Sequence, residues 1–244
     1  MSIAGLDPTA GAGLLADIKC FEQHKVYGFG ICSAVTAQTE NEFFAVDWMD
    51  ASKIINQLMP LKEKYDVMAC KIGLIKDPDV MEEVLAFLKS AWPKLKIIVD
   101  PILKASAGYQ FREGKFYVDQ FFKLLVSMDL ITPNYLEMCS LSNGADVKTT
   151  AADWSVYCPV LLKGGHNDAE IGTDYLYSRT GVYRFDAGVA TVSEKHGSGC
   201  VLSASITAHL ALGHDLQNAC LLAKKYIERF LNSSTTLLGN HYED

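Results

Sequence analysis

Apolar stretches alternate with amphipathic ones along almost the whole chain. The amphipathic stretches predict helices over 14–24, 51–64, 78–90 and 119–126, and further helices around Tyr135 and Ala151. Short apolar runs predict strands at 29–37, 67–72, 97–100, 129–132 and 160–163, with hairpin character over 173–185. A first strand ends at Gly5-Leu6-Asp7, and helices after Gly199 and after Asp215 close the chain. Strands alternating with helices argue for an α/β fold, a mainly parallel sheet covered on both faces. No repeat, low-complexity tract or linker interrupts the pattern, so residues 1–244 are expected to form one domain.

In an open α/β sheet the ligand crevice lies beyond the carboxyl ends of the strands. Those ends carry Gly5-Leu6-Asp7, Thr36-Ala37-Gln38, Lys71-Ile72-Gly73, Asp100-Pro101, Thr132-Pro133-Asn134 and Lys163-Gly164-Gly165-His166. Polar residues and glycines gather there while the strand bodies stay apolar. That distribution points to a site for phosphate, metal or amide contacts.

Apolar residues make up 49% of the chain and charged residues 21%, with a net charge of −7 and no basic stripe. Nucleic-acid and anionic-membrane surfaces are therefore unsupported. No apolar run is long enough to span a bilayer, and the first residues look structural rather than cleavable. The seven cysteines (Cys20, Cys32, Cys70, Cys139, Cys158, Cys200 and Cys220) are odd in number and form no CxxC pair. A reducing, cytoplasmic compartment is expected.

The densest chemistry lies in Lys195-His196-Gly197-Ser198-Gly199-Cys200, which runs directly into the apolar segment 201–212. Two glycines and a small hydroxyl residue before a helix let main-chain N–H groups converge on an anion, and the helix dipole adds to that field. Such a cradle suits the charge on a phosphoryl group in transit. Cys200, at the same helix start, is expected to have a lowered pKa and to serve as a proton acceptor. The alternative is a turn capping a core helix, with Cys200 a small buried hydrophobe.

Other segments carry weaker signals. Gly11-Ala12-Gly13-Leu14-Leu15-Ala16 fits G-x-G-x-x-A, but no acidic residue closes the second strand to hold a ribose. Asn134 and Glu137, three apart at a helix start, suit either a hydrated Mg²⁺ or a reciprocal helix cap. Lys163, followed by Gly164 and Gly165, suits a polyphosphate or, alternatively, a solvated turn. Asp100 beside Pro101 is either a metal-side carboxylate or a turn former. His196 adjoins the anion turn, and His209 and His214 are expected in helix packing and at the surface.

Taken together, the segments SIAGLDPTAGAGLLADIKCF, VYGFGICSAVTAQTE, KIGLI, DPILKASAG, LITPNYLE, LLKGGH and KHGSGC resemble the hydroxymethylpyrimidine kinase / phosphomethylpyrimidine kinase family of the ribokinase superfamily. The resemblance implies a ribokinase-like three-layer α/β/α fold with a mostly parallel sheet. It also implies ATP-dependent phosphorylation of 4-amino-5-hydroxymethyl-2-methylpyrimidine, and of its monophosphate, in thiamine biosynthesis. Gly5, Asp7, Ala12, Gln38, Leu74 and Ile102 are implied to surround the pyrimidine, Gln38 pairing with its amino edge through a side-chain amide. Residues 197–199 are implied as the anion hole and Cys200 as the catalytic base. Asn134, Lys163, Gly164, Gly165 and His196 fall on the nucleotide side, with Glu137 and Asp100 holding Mg²⁺. A homodimer is implied as well. Leu74 stands where methionine is common, Leu6 where a small polar residue is frequent, and Ser106 where lysine or threonine is usual. A few residues usual before the first strand, and some at the C-terminus, are missing. Pyridoxal kinase is the nearest rival; a non-catalytic pyrimidine sensor and a nicotinamide oxidoreductase are more distant ones.

Overall fold

The computed structural model describes residues 1–104, 108–111, 115–165, 167, 169–188 and 192–241, with main chain only at 115 and 116. Ser106 and His166 lie outside the described residues.

Among the described residues nine strands form one sheet in the order β3-β2-β1-β4-β5-β6-β7-β8-β9. They are β1 (Ser2–Leu6), β2 (Gly30–Gln38), β3 (Phe43–Trp48), β4 (Ala69–Ile72), β5 (Lys96–Val99), β6 (Leu130–Ile131), β7 (Val160–Leu162), β8 (Asp174–Ser178) and β9 (Gly181–Phe185). The six strands from β2 to β7 in that order pair in parallel, while β3 pairs antiparallel with β2 at one edge, and β8 pairs antiparallel with both β7 and β9 at the other. The helices are α1 (Gly13–Gln23), α2 (Ala51–Lys62), α3 (Pro78–Ala91), α4 (Lys115–Leu124), α5 (Tyr135–Leu141), α6 (Val147–Trp154), α7 (Ser198–Ala211) and α8 (Leu216–Leu231). A 3-10 turn, Leu125–Ser127, extends α4.

Strand alternation divides the core. Cys70, Ile72, Ile97 and Val99 face one way, onto Ile54 and Leu58 of α2, Val84 and Leu88 of α3, Phe121 of α4 and Trp154 of α6. Ala69, Ile98, Leu130 and Leu161 face the other, onto α1, α7 and α8. Ten residues of α7 are buried, as an all-round apolar helix demands. The three-layer arrangement matches the sequence expectation.

Two expectations need correction. Strand β3 was not foreseen, because an edge strand that leaves Phe44 exposed lacks a clean apolar run. Lys71 belongs not to an open strand end but to the body of β4, where it is fully buried.

Candidate active site

The start of α7 is built for close approach. Gly197 caps it in the left-handed region (φ 75°) and supplies no side-chain oxygen, leaving the first-turn N–H groups without a side-chain cap. A Cβ at Gly197 would overlap the Gly11 carbonyl oxygen. The 11–13 loop and the anion turn are thus in direct contact. Gly13, at φ 60°, lies so close to the Gly5 carbonyl that only glycine fits. Its N–H donates to the Cys200 sulfur.

Cys200 is 9% exposed and, like the other six cysteines, unpaired in any disulfide. The expected lowering of its pKa does not occur. Burial pushes the thiol up to about 11, with Asp100 and Asp17 acting the same way and Lys71 and the Gly13 N–H against them. Desolvation outweighs the cations at this helix start.

The carboxyl ends of β5, β6 and β7 assemble a buried polar cluster. Lys163 Nζ lies 2.8 Å from Asp100 Oδ1 and 4.0 Å from Glu137 Oε2. Thr132 donates to Asp100 Oδ1 at 3.1 Å, and the Ser203 hydroxyl lies 3.2 Å from Asp100 Oδ2. That hydroxyl is also 3.0 Å from the carbonyls of Gly199 and Cys200, so it ties the first turn of α7 to Asp100. Lys163 is therefore a buried ion-pair member rather than a solvated turn residue. Burial pushes the Glu137 carboxyl up to about 7, with Asp100 adding to the rise and Lys163 opposing it. Burial works against the Lys163 ammonium, but Asp100 and Glu137 hold it above its ordinary value.

Asn134 and Glu137 form the reciprocal cap. Asn134 Oδ1 accepts the Glu137 N–H at 2.8 Å, and Glu137 Oε2 accepts the Asn134 N–H at 2.7 Å. Capping and proximity to Lys163 coexist on one atom: the Glu137 Oε2 that accepts the Asn134 N–H is also the oxygen 4.0 Å from Lys163 Nζ. Gly164 packs against the Thr173 carbonyl with no room for a Cβ, and its N–H donates to Asp174 at 2.8 Å. Gly165 is exposed.

Asp7 and His196 bond to each other. Asp7 is 1% exposed, and its carboxylate accepts from Thr9 N–H (2.9 Å), Ala12 N–H (3.0 Å) and the Thr9 hydroxyl (2.9 Å). His196 Nε2 lies 2.8 Å from Asp7 Oδ2. The His196 N–H donates to the Leu237 carbonyl, and its buried Nδ1 has no hydrogen-bond partner among the described residues. Both side chains clasp the 9–12 loop to the anion turn. Burial works against ionised Asp7, but the bonds from His196 and Thr9 hold its pKa below the ordinary value.

The apolar candidates share one neighbourhood. Gly5 at the end of β1 abuts the Leu74 side chain, and Gly73 lies between Lys71 Nζ and Ile102. Ala12 touches the Gly197 position. Gln38, half-buried, ends β2 where the sheet register shifts against Phe43.

Sequence reading missed Ser203 and Asp17 as parts of this region, and gave Thr132 and Lys71 no role beyond a place at strand ends. Lys71 was conspicuous, as a charged residue inside an otherwise apolar strand. Among the described residues no group of three His, Cys, Asp or Glu is placed to hold a metal ion. Two carboxylates beside hydroxyl and amide oxygens fit Mg²⁺, which keeps several waters and takes substrate phosphate as ligand.

Comparisons with known proteins bear on the family and the fold. The family described as phosphomethylpyrimidine kinase matches residues 7–243. A hydroxymethylpyrimidine/phosphomethylpyrimidine kinase of Staphylococcus aureus (strain MRSA252) is 32% identical, covering 93% of this chain and 85% of its own. The crystal structure of phosphomethylpyrimidine kinase from Clostridium difficile 630 superposes with a TM-score of 0.78 at 29% identity, covering 93% of this chain and 96% of that one. An ADP complex of Bacillus subtilis pyridoxal kinase gives 0.83 at 27% identity, covering 97% and 92%.

Proposed function

The chain belongs to the phosphomethylpyrimidine kinase family, and from that premise we propose that it transfers the γ-phosphoryl group of ATP to 4-amino-5-hydroxymethyl-2-methylpyrimidine. Its monophosphate is the second acceptor, giving the diphosphate used in thiamine biosynthesis. The observation that carries this reading is the start of α7. There, a positive-φ glycine without a capping side chain, an N–H-bonded thiol and the Asp100–Lys163 pair converge.

The pyrimidine sits against Gly5, Ala12, Leu74 and Ile102, with the Gln38 amide donating to and accepting from its amino edge. The Cys200 thiolate accepts the proton of the 5-hydroxymethyl group as the oxygen attacks phosphorus in line and ADP leaves. In a loose transition state that proton becomes acidic late, so a thiolate that forms only a small fraction of the resting enzyme is tolerated. Main-chain N–H groups of residues 197–200 hold the transferring oxygens. Lys163, with the 164–165 turn behind it, offsets charge between the phosphates. Asp100 and Glu137 would hold Mg²⁺, which neutralises phosphate oxygens when bound. Asp7 and His196 keep the 9–12 loop against the cradle.

The same reading takes the 1–244 chain as one catalytic unit, working as a cytoplasmic homodimer; light scattering checks the dimer. No helix among the described residues is long and apolar enough to cross a membrane. A kinetic panel with ATP and Mg²⁺ tests the substrate. The pyrimidine alcohol and its monophosphate should each exceed pyridoxal in kcat/KM by at least tenfold. A preference for pyridoxal, or pyrimidine binding without ADP release, overturns the proposal.

A further inference from the structure

Between β4 and α1, both packed on α7, lies a buried pair of charges; sequence reading gave Asp17 no role and Lys71 only a place at a strand end. Lys71 Nζ is 2.7 Å from both oxygens of Asp17, both side chains have no exposed surface, and the Ser2 hydroxyl donates to Asp17 at 2.6 Å. Desolvating two charges is costly, and an apolar pair of similar volume generally serves stability at least as well. Its position explains the pair better than stability does.

Lys71 shares a face of β4 with Ala69, the face covered by α1, α7 and α8. Its ammonium lies 3.4 Å from where a Gly73 Cβ would stand, beside Ile102 on the crevice floor. Asp17 stands one helical turn after Gly13 on α1, and Gly13 donates its N–H to the Cys200 sulfur. Helix α7 packs on both α1 and β4. The ion pair therefore joins two of the elements on which the thiol's helix packs.

We propose that Lys71, held in place by Asp17, is a positioning residue that presents positive charge to the Cys200 sulfur and favours its thiolate. The inference deepens the catalytic reading above and rests on it. Burial alone would lower the Lys71 pKa, but Asp17, with Cys200 and Asp100 behind it, holds it above the ordinary value. The charged groups acting on Cys200 are Lys71 from β4, Asp17 from α1, Asp100 from the end of β5 and Lys163 from the end of β7. Lys71 is the largest influence lowering the thiol.

The test is the alkylation rate of Cys200 by iodoacetamide at fixed pH, resolved by peptide mass spectrometry from the other six cysteines. Lys71→Met should slow alkylation about tenfold, because it leaves Asp17 facing the sulfur. Asp17→Asn should speed it about tenfold, because Lys71 then takes the thiolate as its counter-ion. Opposite shifts support the proposal; shifts in one direction, or none, overturn it. Circular dichroism melting checks each variant. Where a single variant is unfolded, the charge-free Asp17→Asn/Lys71→Met double variant decides: alkylation slower than in the parent supports the role, and an equal or faster rate defeats it. Lys71→Met should also cut kcat more than tenfold with KM for both substrates within about twofold. Because alkylation reports the thiol and not turnover, opposite shifts alongside a fully active Cys200→Ala enzyme would reject the base assignment alone.

Discussion

Lys163 Nζ and Asp100 Oδ1 stand 2.8 Å apart at the ends of β7 and β5, two strands separated in the sheet by β6. Thr132, from the end of β6, closes the gap with its hydroxyl on the same carboxylate oxygen. The three adjacent strand ends are thus joined by side chains as well as by the ladder, with Glu137 4.0 Å from the ammonium.

Breaking that pair should be costly. Asp100→Asn leaves a buried ammonium with one neutralising carboxylate, and removing one partner of a buried pair costs roughly 3–5 kcal/mol. Urea denaturation should show that loss as a lower midpoint with an unchanged slope. The KM for ATP should rise as well. A midpoint within error of the parent would show that the pair is dispensable to the fold.

Cys200→Ala should lower kcat by about 10²–10⁴, the usual contribution of a general base, with the melting temperature little changed. In the parent enzyme the thiol is pushed up to about 11. A base must be deprotonated to act, and kcat/KM reports the free enzyme. That ratio should therefore climb about tenfold per pH unit from 7 to 10. A plateau near neutrality would mean that another group accepts the proton.

Gly197→Ala should impair the anion turn. Left-handed backbone costs an L-residue about 1–2 kcal/mol, and the added carbon meets the Gly11 carbonyl oxygen. For a chain of this size that is a fall in Tm of roughly 2–8 °C. Turnover should drop further than Tm implies, because the 11–13 loop and the first turn of α7 separate. Unchanged kcat and Tm would show that the close approach is unimportant.

Acid should weaken the fold through histidines remote from the site. The His24 and His209 rings lie 4.6 Å apart, and Tyr226 links His24 to His241. Burial, helped by Arg229, lowers the pKa of His24 to about 4 from an ordinary 6.5. His209 and His241 are lowered to about 4 by the same cause. Each binds a proton more readily when unfolded, so unfolding takes up protons between pH about 6.5 and about 4. Stability falls as pH drops through that window and levels off below it. Melting curves from pH 7.5 to 4 should show the decline, and His209→Phe should flatten it; a flat parent curve would refute the assignment.

The alternation of apolar and amphipathic segments made the α/β class legible, and the seven motif segments made the family so. Both are local signals, carried by residues within a few positions of one another. A helix start near Gly199 was readable because glycine and small residues before an apolar run have one common structural use, although α7 begins at Ser198 and takes Gly199 into its first turn. Strand β3 was not readable, since an edge strand buries too little to enforce a pattern.

The amino-acid order by itself determined which residues could carry phosphate chemistry and that they fall at strand and helix ends. Only tertiary packing decided their electrostatic state. Cys200 is raised rather than lowered because surrounding elements exclude water from its sulfur. Asp7 and His196 became a clasp because residues 189 positions apart meet across the crevice. Lys71 became a buried partner of Asp17 because β4 turns that face toward α1. Desolvation and charge pairing depend on distances through space, and no local stretch of sequence encodes those distances.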